Sequence, residues 1–286
     1  MPEMFKDSLL YALCLLKDYL DEVVLCGGWV PFIYREYVLE NKPKPPLRTK
    51  DIDLAAGEII EVKKNKSIDR ILEEAGFKPV QIDSEFRISS FGKSGNTPPL
   101  IKFEYKEKGL DIEVGFLTDL RGRGDVGVKK IQEELTAEAL RYVSVILDNF
   151  RVVEISDKMS TGLRVKLKIK IPRPAAFIYQ KGLTFVKRTS DYKKGKDLCY
   201  IYDLLENYRE LHAGMYKEFK IIAERYPAKW FRRFIGNMED YFDSSDAAGP
   251  ILVRQQYMSD MEKDLLQRRI CSVFKDFTDK LKRLAK

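Results

Sequence analysis

The chain of 286 residues contains a single histidine, His212. An H-E-x-x-H zinc site, or any metal centre that needs two imidazoles, is therefore excluded. A Ser-His-Asp triad would have to rest on His212, and no motif around it supports one, so it reads as a structural residue in a segment that joins helices. Cysteine is sparse too. Cys14, Cys26, Cys199 and Cys271 are far apart and form no C-x-x-C, which argues against a zinc site and fits a reducing cytoplasm. Long apolar runs are missing. The longest, Val23 to Tyr34, is too short to cross a bilayer and contains Pro31. The stretch from Leu9 to Leu16 is flanked by acids and lacks a small-residue cleavage site, so neither a membrane anchor nor a signal peptide is expected. No internal repeat and no low-complexity tract is present.

What remains is a globular composition, with 44% hydrophobic and 33% charged residues. The length predicts two domains. The formal net charge of +7 is unevenly spread. Up to Ile171 there are 28 basic and 28 acidic residues; from Pro172 onward there are 23 and 16. A neutral N-terminal half thus precedes a basic C-terminal half, an asymmetry that points to a polyanion, nucleic acid first. One segment is sharper. Leu163–Ile171 reads L-R-V-K-L-K-I-K-I, a strict alternation that predicts a strand. Val165, Leu167, Ile169 and Ile171 share one face of it, and Arg164, Lys166, Lys168 and Lys170 share the other.

Apolar spacing predicts a helix over residues 4–20, a short buried strand at Val23–Cys26, a Gly27-Gly28 turn and a helix from Trp29 to about Leu39. A Pro- and Lys-rich loop follows at Asn41–Arg48. Then come a strand at Asp51–Ala55 and a helix at Ser67–Ala75, stopped by Gly76. Strands are predicted at Phe86–Ser90, Leu100–Tyr105 and Leu110–Phe116, and a loop holds Gly122, Gly124 and Gly127. A helix capped by Thr136 is predicted to reach about Leu147, with strands at Arg151–Ile155 and Leu163–Ile171. After Pro172 and Pro174 the pattern is helical to the end. The fold class is therefore α+β: an N-terminal mixed sheet with flanking helices over 1–171 and a basic all-helical domain over 172–286.

Two motifs fail on context. Gly122, Gly124 and Gly127 spell G-x-G-x-x-G, but Asp148 ends a predicted helix where a dinucleotide fold needs an acid ending a strand. Gly92-Lys93-Ser94 resembles the end of a P-loop, but Arg87 stands where its first glycine belongs.

The acids are more telling. On a strand, residues i and i+2 face the same way, so Asp51 and Asp53 set two carboxylates side by side while Ile52 and Leu54 face the core. Two like charges that close are costly unless a cation lies between them. Leu110-Asp111-Ile112-Glu113-Val114 repeats the pattern. If the two strands are neighbours, three or four carboxylates meet, and oxygen ligands of this kind suit Mg²⁺ or Mn²⁺. Upstream, Gly27-Gly28 ends a strand and opens a helix, where bare backbone N–H groups can hold phosphate oxygens. A glycine turn for phosphate and a carboxylate cluster for metal are what metal-assisted phosphoryl or nucleotidyl transfer requires.

The segments L-C-G-G-W-V-P-F-I-Y (25–34), R-T-K-D-I-D-L-A (48–55) and L-D-I-E-V-G-F (110–116) together resemble the nucleotidyltransferase superfamily of the DNA polymerase beta type. Within it the chain is most similar to the AbiEii-like toxins of type IV toxin–antitoxin systems. The run from Ile171 through Lys181 and Leu183, followed by Arg188 and Lys194-Gly-Lys196-Asp197-Leu198, is similar to that family's later block, a prolyl helix start with a lysine and then a K-D-L helix.

The resemblance implies roles. Gly27 and Gly28 cradle the triphosphate, with Thr49, Lys50, Lys181 and Arg188 as further nucleotide contacts. Asp51 and Asp53 hold Mg²⁺ or Mn²⁺ with Asp111 as third carboxylate. Lys181 contacts phosphate, and Asp197 completes the site from the helical domain, either pairing with Lys181 or taking the acceptor's proton. Two departures stand out: Gly28 replaces the superfamily's usual Ser, and Tyr200 replaces the second acid of K-D-L-x-D. The implied activity is transfer of an NMP from an NTP to an acceptor with release of pyrophosphate. RNA, such as a tRNA 3′ end, is the favoured acceptor because the helical half is basic. A cytoplasmic toxin with a cognate antitoxin is the implied biology. The alternatives are an antibiotic-modifying transferase, which the basic half opposes, and a non-catalytic nucleotide- or RNA-binding module.

Overall fold

The computed structural model describes residues 2–40, 49–82, 98–107, 109–122 and 126–284. The chain divides into two compact units, Met1–Ile33 with Arg48–Pro172 and Tyr34–Leu47 with Arg173–Lys286. Among the described residues no helix is long and apolar enough to cross a membrane.

The first unit runs α1 (Pro2–Leu15), β1 (Val23–Cys26), α2 (Trp29–Tyr37), β2 (Asp51–Ala56), α3 (Ile68–Glu74), β3 (Lys78–Ile82), β4 (Leu100–Tyr105), β5 (Ile112–Asp119), β6 (Val126–Lys130), β7 (Thr136–Leu140), α4 (Val143–Asp148), β8 (Phe150–Lys158) and β9 (Arg164–Pro172). The last turn of α2 is counted with the second unit. The strands form one mixed sheet in the order β3-β4-β5-β2-β1-β9-β8, with β7 joining β5 and β6 pairing β7. β2 and β5 run parallel, as do β1 and β9, while β1 and β2 are antiparallel. The central strands are the most apolar. All four residues of β1 are buried, and β2 buries Ile52, Leu54, Ala55 and Ala56. Val-Val-Leu and the alternating Ile/Leu of β2 are β-branched or aliphatic side chains that suit a sheet covered on its faces.

Four sequence expectations are corrected here. The helix expected from Thr136 is strand β7, paired with β5 and β6. Four of its five residues are buried and only Glu138 is half-buried, as in a strand covered on both faces, so no alternation marks it and the helix-favouring alanines mislead. Tyr142 then turns the chain at a left-handed φ of 71° into the short α4. The glycine loop holds the start of β6, and β3 follows Gly76 where no strand was expected. β5 begins at Ile112, two residues later than predicted, which leaves Leu110 and Asp111 ahead of it. The strand predicted at Phe86–Ser90 and the Arg87 position lie outside the described residues.

The second unit is helical: α5 (Pro174–Thr184), α6 (Asp191–Asn207), α7 (His212–Arg225), α8 (Ala228–Tyr241), α9 (Ala248–Arg254) and α10 (Lys263–Leu284). Pro174 opens α5 at a position that needs no N–H donor. Nearly all of α5 is buried, and it lets α8 approach at Gly182, where a Cβ would collide with the Phe234 ring. Phe219, Phe234 and Phe277 from α7, α8 and α10 meet in one aromatic core. His212 opens α7, packs edge-on to Tyr216, and has its pKa lowered by burial, as befits a structural histidine.

Asp203 of α6 is a buried acid in this unit. Asn207 Nδ2 donates to its Oδ1 at 2.7 Å. Burial pushes its carboxyl up to about 6, although Asn207 and the Arg35 charge pull the other way. A pKa raised on folding favours the protonated form, so stability falls as pH rises from about 4 to about 6 and is flat above. The penalty at neutral pH is about 2–3 kcal/mol. Asp203→Asn keeps the acceptor for Asn207 and removes the charge. It is expected to raise the melting temperature at pH 7 and to flatten the pH 4–6 slope; a destabilised variant at pH 7 contradicts this assignment.

Candidate active site

β1 ends at Cys26, and Gly27-Gly28 turn the chain into α2. Gly27 adopts φ +67°, a region that L side chains rarely enter, and a Cβ there would strike the carboxylate of Asp53. Only glycine fits, because the acid of β2 lies against the turn. Cys26 and Asp53 are cross-strand partners, and the Cys26 thiol donates to the Asp53 carbonyl at 3.2 Å. The turn and the second aspartate are thus brought together by the β1–β2 pairing.

The β2–β5 register sets Asp51 beside Glu113 and Asp53 beside Gly115. Asp51, Asp53 and Glu113 therefore share one face of the sheet, with Ile52 and Val114 buried on the other. Asp111 is placed differently. It precedes β5, its side chain is 57% exposed, and it faces Lys50 at 3.7 Å. The Thr49 hydroxyl accepts from the Asp51 amide at 3.2 Å and so helps set the start of β2. Thr49, Lys50 and Asp111 line a cavity of about 310 Å³ with Phe5, Ser8 and Trp29. Trp29 stacks on Phe5 at 4.2 Å, and its indole N–H is buried without a hydrogen-bond partner.

The side chain that sequence reading missed is Lys102 of β4. Glu104 is the cross-strand partner of Glu113, and Lys102 lies two residues back on the same face. Its stem passes over Gly115, whose missing Cβ would stand 3.3 Å from Lys102 Cε. Its ammonium donates to Glu113 Oε1 at 2.6 Å. Burial lowers the Lys102 pKa, but Asp53, then Glu113 and Asp51, outweigh it and the net shift is upward. The only local hint was Gly115 inside a strand, a residue that often marks a close approach.

Among the described residues no three His, Cys, Asp or Glu side chains are gathered closely enough to hold a metal ion. In kind, the donor set of Asp51, Asp53 and Glu113 is all carboxylate oxygen and fits a hard divalent cation; a lysine ammonium now stands among them.

In the helical unit, Lys181, Arg188 and Asp197 do converge. Lys181 Nζ donates to Asp197 Oδ1 at 2.5 Å, and Arg188 Nε donates to Oδ2 at 2.9 Å. Helix α5 ends at Thr184, so Arg188 lies past the helix, and a 3-10 turn at Phe185–Lys187 brings it round. Lys181 is also flanked by the rings of Phe177 and Tyr200, 5.2 and 5.1 Å from the ammonium. Tyr200 thus serves as a wall for the lysine.

A family model described as "Nucleotidyltransferase" matches residues 16–219, and the chain belongs to that family. The crystal structure of an antigenic nucleotidyltransferase-like protein from Paracoccidioides brasiliensis is 17% identical to it, covering 71% of this chain and 76% of that one at a TM-score of 0.33. No curated protein sequence matches it.

Proposed function

We propose that the protein is a Mg²⁺- or Mn²⁺-dependent enzyme that transfers an NMP from an NTP to an RNA acceptor and releases pyrophosphate. The observation that carries this reading is the shared face of Asp51, Asp53 and Glu113 beside a turn that only glycine can make. Asp51 and Asp53 would hold the metal, and Glu113, the register partner of Asp51, would take the third place that the family resemblance gives to Asp111. Bound there, the metal supplies charge stabilisation for the transferring phosphoryl group and the leaving pyrophosphate. The Gly27-Gly28 amides would orient the triphosphate, and Thr49 and Lys50 would line its approach. Lys181, Arg188 and Asp197 would contribute from the helical unit as a pre-formed charge group.

RNA is favoured as acceptor by the outer face of the β8–β9 hairpin. Arg164, Lys166 and Lys168 are exposed there, and Lys158 is paired opposite Arg164. Glu154 answers Lys166 at 3.4 Å, while Lys170 is held by the Asp21 carbonyl and the Phe150 ring. Replacing Arg164, Lys166 and Lys168 together with Gln is expected to weaken RNA binding and to reduce its log–log salt slope by about 2. An unchanged slope in a filter-binding titration returns these side chains to ordinary solvation. The family resemblance extends the proposal to a cytoplasmic toxin restrained by a cognate antitoxin protein, with a tRNA 3′ end as acceptor.

The rival reading is a nucleotide- or RNA-binding module without catalysis, and Lys102 within the acid cluster favours it. Incubation with each labelled NTP, Mg²⁺ and total RNA, followed by gel analysis, separates the two. A labelled RNA band that depends on Asp53 supports transfer; NTP or RNA binding without labelling supports the module. Comparing Glu113→Gln with Asp111→Asn in the same assay assigns the third carboxylate, and loss of labelling only in Asp111→Asn returns that role to Asp111.

A further inference from the structure

We propose that Lys102 is a tethered cation built into the carboxylate cluster, which holds the acids together without metal and competes with a divalent cation for them. The competition rests on the metal-binding reading above; the counter-ion role does not.

Three features of the sheet make the arrangement. β2 and β5 pair so that Asp51 faces Glu113 and Asp53 faces Gly115. Gly115 leaves a gap in the row of side chains, and the aliphatic stem of Lys102 lies in it, with Cε, Cδ and Cγ all within 3.6 Å of where a Cβ would be. The ammonium is thereby delivered across β5 to Glu113 at 2.6 Å, within the field of Asp53 and Asp51. Both partners are largely enclosed, with side-chain exposures of 22% for Lys102 and 14% for Glu113. The outlying acids have lysines of their own: Glu104 pairs with Lys106 at 2.7 Å and Asp111 with Lys50 at 3.7 Å. Lys102 is coupled to both aspartates of β2 as well as to Glu113.

The charge arithmetic follows. Three ionised carboxylates with no cation nearby repel one another, and the low-dielectric surroundings enlarge the cost. One ammonium reduces the cluster from −3 to −2, a charge that a single divalent ion then balances. To use Glu113 as a ligand, that ion has to displace the ammonium from the oxygen it now holds. Loss of Lys102 is thus expected to weaken the metal-free protein and strengthen the metal-bound one, two opposite effects that a merely structural ion pair does not produce.

The test uses the full chain. Mn²⁺ binding is read by electron paramagnetic resonance, and melting is read in EDTA. Lys102→Met is expected to bind Mn²⁺ roughly tenfold or more tightly than the unaltered protein and to melt lower in EDTA. Adding Glu113→Gln to Lys102→Met is expected to recover most of that metal-free loss, since the orphaned charge goes too. Gly115→Ala keeps every charge but presses on the lysine stem, and it is expected to tighten Mn²⁺ binding in the same direction. It also serves if Lys102→Met fails to fold. Mn²⁺ binding that is equal or weaker in both variants overturns the competition, and a double variant that recovers nothing overturns the counter-ion role. If no variant binds Mn²⁺, the metal reading of the site fails, and with it the competition, while the melts in EDTA still decide the counter-ion role.

Discussion

Asp53→Asn is expected to reduce nucleotidyl transfer by about 10³-fold or more while leaving the melting temperature within a few degrees of the parent. The side chain keeps its shape, so the packing against Gly27 that dictates the turn is preserved. The backbone pairing of Cys26 with Asp53 and the thiol bond to the Asp53 carbonyl do not involve the carboxylate. What is lost is one negative charge of the cluster, at the position that lies against the Gly27 turn. Charge stabilisation by a bound metal is worth several kcal/mol, and each 1.4 kcal/mol is a factor of ten in rate. The two halves of the prediction are separable. Lost activity in an unfolded protein says nothing of the site, whereas full turnover in a folded Asp53→Asn protein at saturating Mg²⁺ refutes the assignment. Asp51→Asn is expected to behave alike.

The parts of this site that were legible in sequence are those fixed by local spacing. The i, i+2 rule places Asp51 and Asp53 on one face without knowledge of any other strand, and Gly-Gly between a strand and a helix marks the turn. The choice between Asp111 and Glu113 was not local. Both sit on one alternation, and only the register with β2 and the true start of β5 at Ile112 separate them. Lys102 was invisible for the same reason: in L-I-K-F-E-Y it reads as a solvent-facing residue of an ordinary strand. Its role depends on a glycine thirteen positions later lying beside it, and cross-strand neighbours cannot be paired from one sequence.

The fold shows the same division. Central strands β1, β2 and β9, with strong apolar patterns, were found within a residue or so of their ends. β7 was misread because Thr-Ala-Glu-Ala-Leu has helical propensity but is held as a strand by β5 and β6 on either side, a tertiary override of a weak local preference. β3, with its Lys, Pro and Gln, carries little apolar signal, and among the described residues its strand partner is β4.

Asp197→Ala is expected to cost about 3–5 kcal/mol, the usual penalty for removing one partner of a buried ion pair, and to lower the melting temperature of the helical unit by roughly 10 °C. The magnitude comes from what stays behind. Lys181 is only 7% exposed and would keep a buried ammonium with no carboxylate, cushioned only by the faces of Phe177 and Tyr200. Arg188, at 25%, can turn toward solvent and loses less. The acid's own titration supports this ordering. Burial pushes the Asp197 carboxyl up, but Arg188 and Lys181 outweigh it and bring the pKa down to about 2. A pKa depressed on folding stabilises the fold above the unfolded value near 3.8, and that stability is lost as pH falls toward 2, with about 2 kcal/mol at stake. This is opposite in sign to Asp203, six residues along the same helix. The unit is therefore expected to be relieved of Asp203's penalty as pH falls from about 6 to about 4, and to lose Asp197's contribution only below pH 4. Asp197→Asn, which retains one acceptor oxygen and no charge, is expected to fall between the parent and Asp197→Ala in stability. Melting curves at pH 7 and pH 3 for both variants decide the matter. If Asp197→Ala melts as the parent does at pH 7 but has lost transferase activity, the triad is spare to the fold and Asp197 acts on the acceptor directly; if it loses stability and Asp197→Asn retains activity, the triad's work is to hold α5 and α6 together.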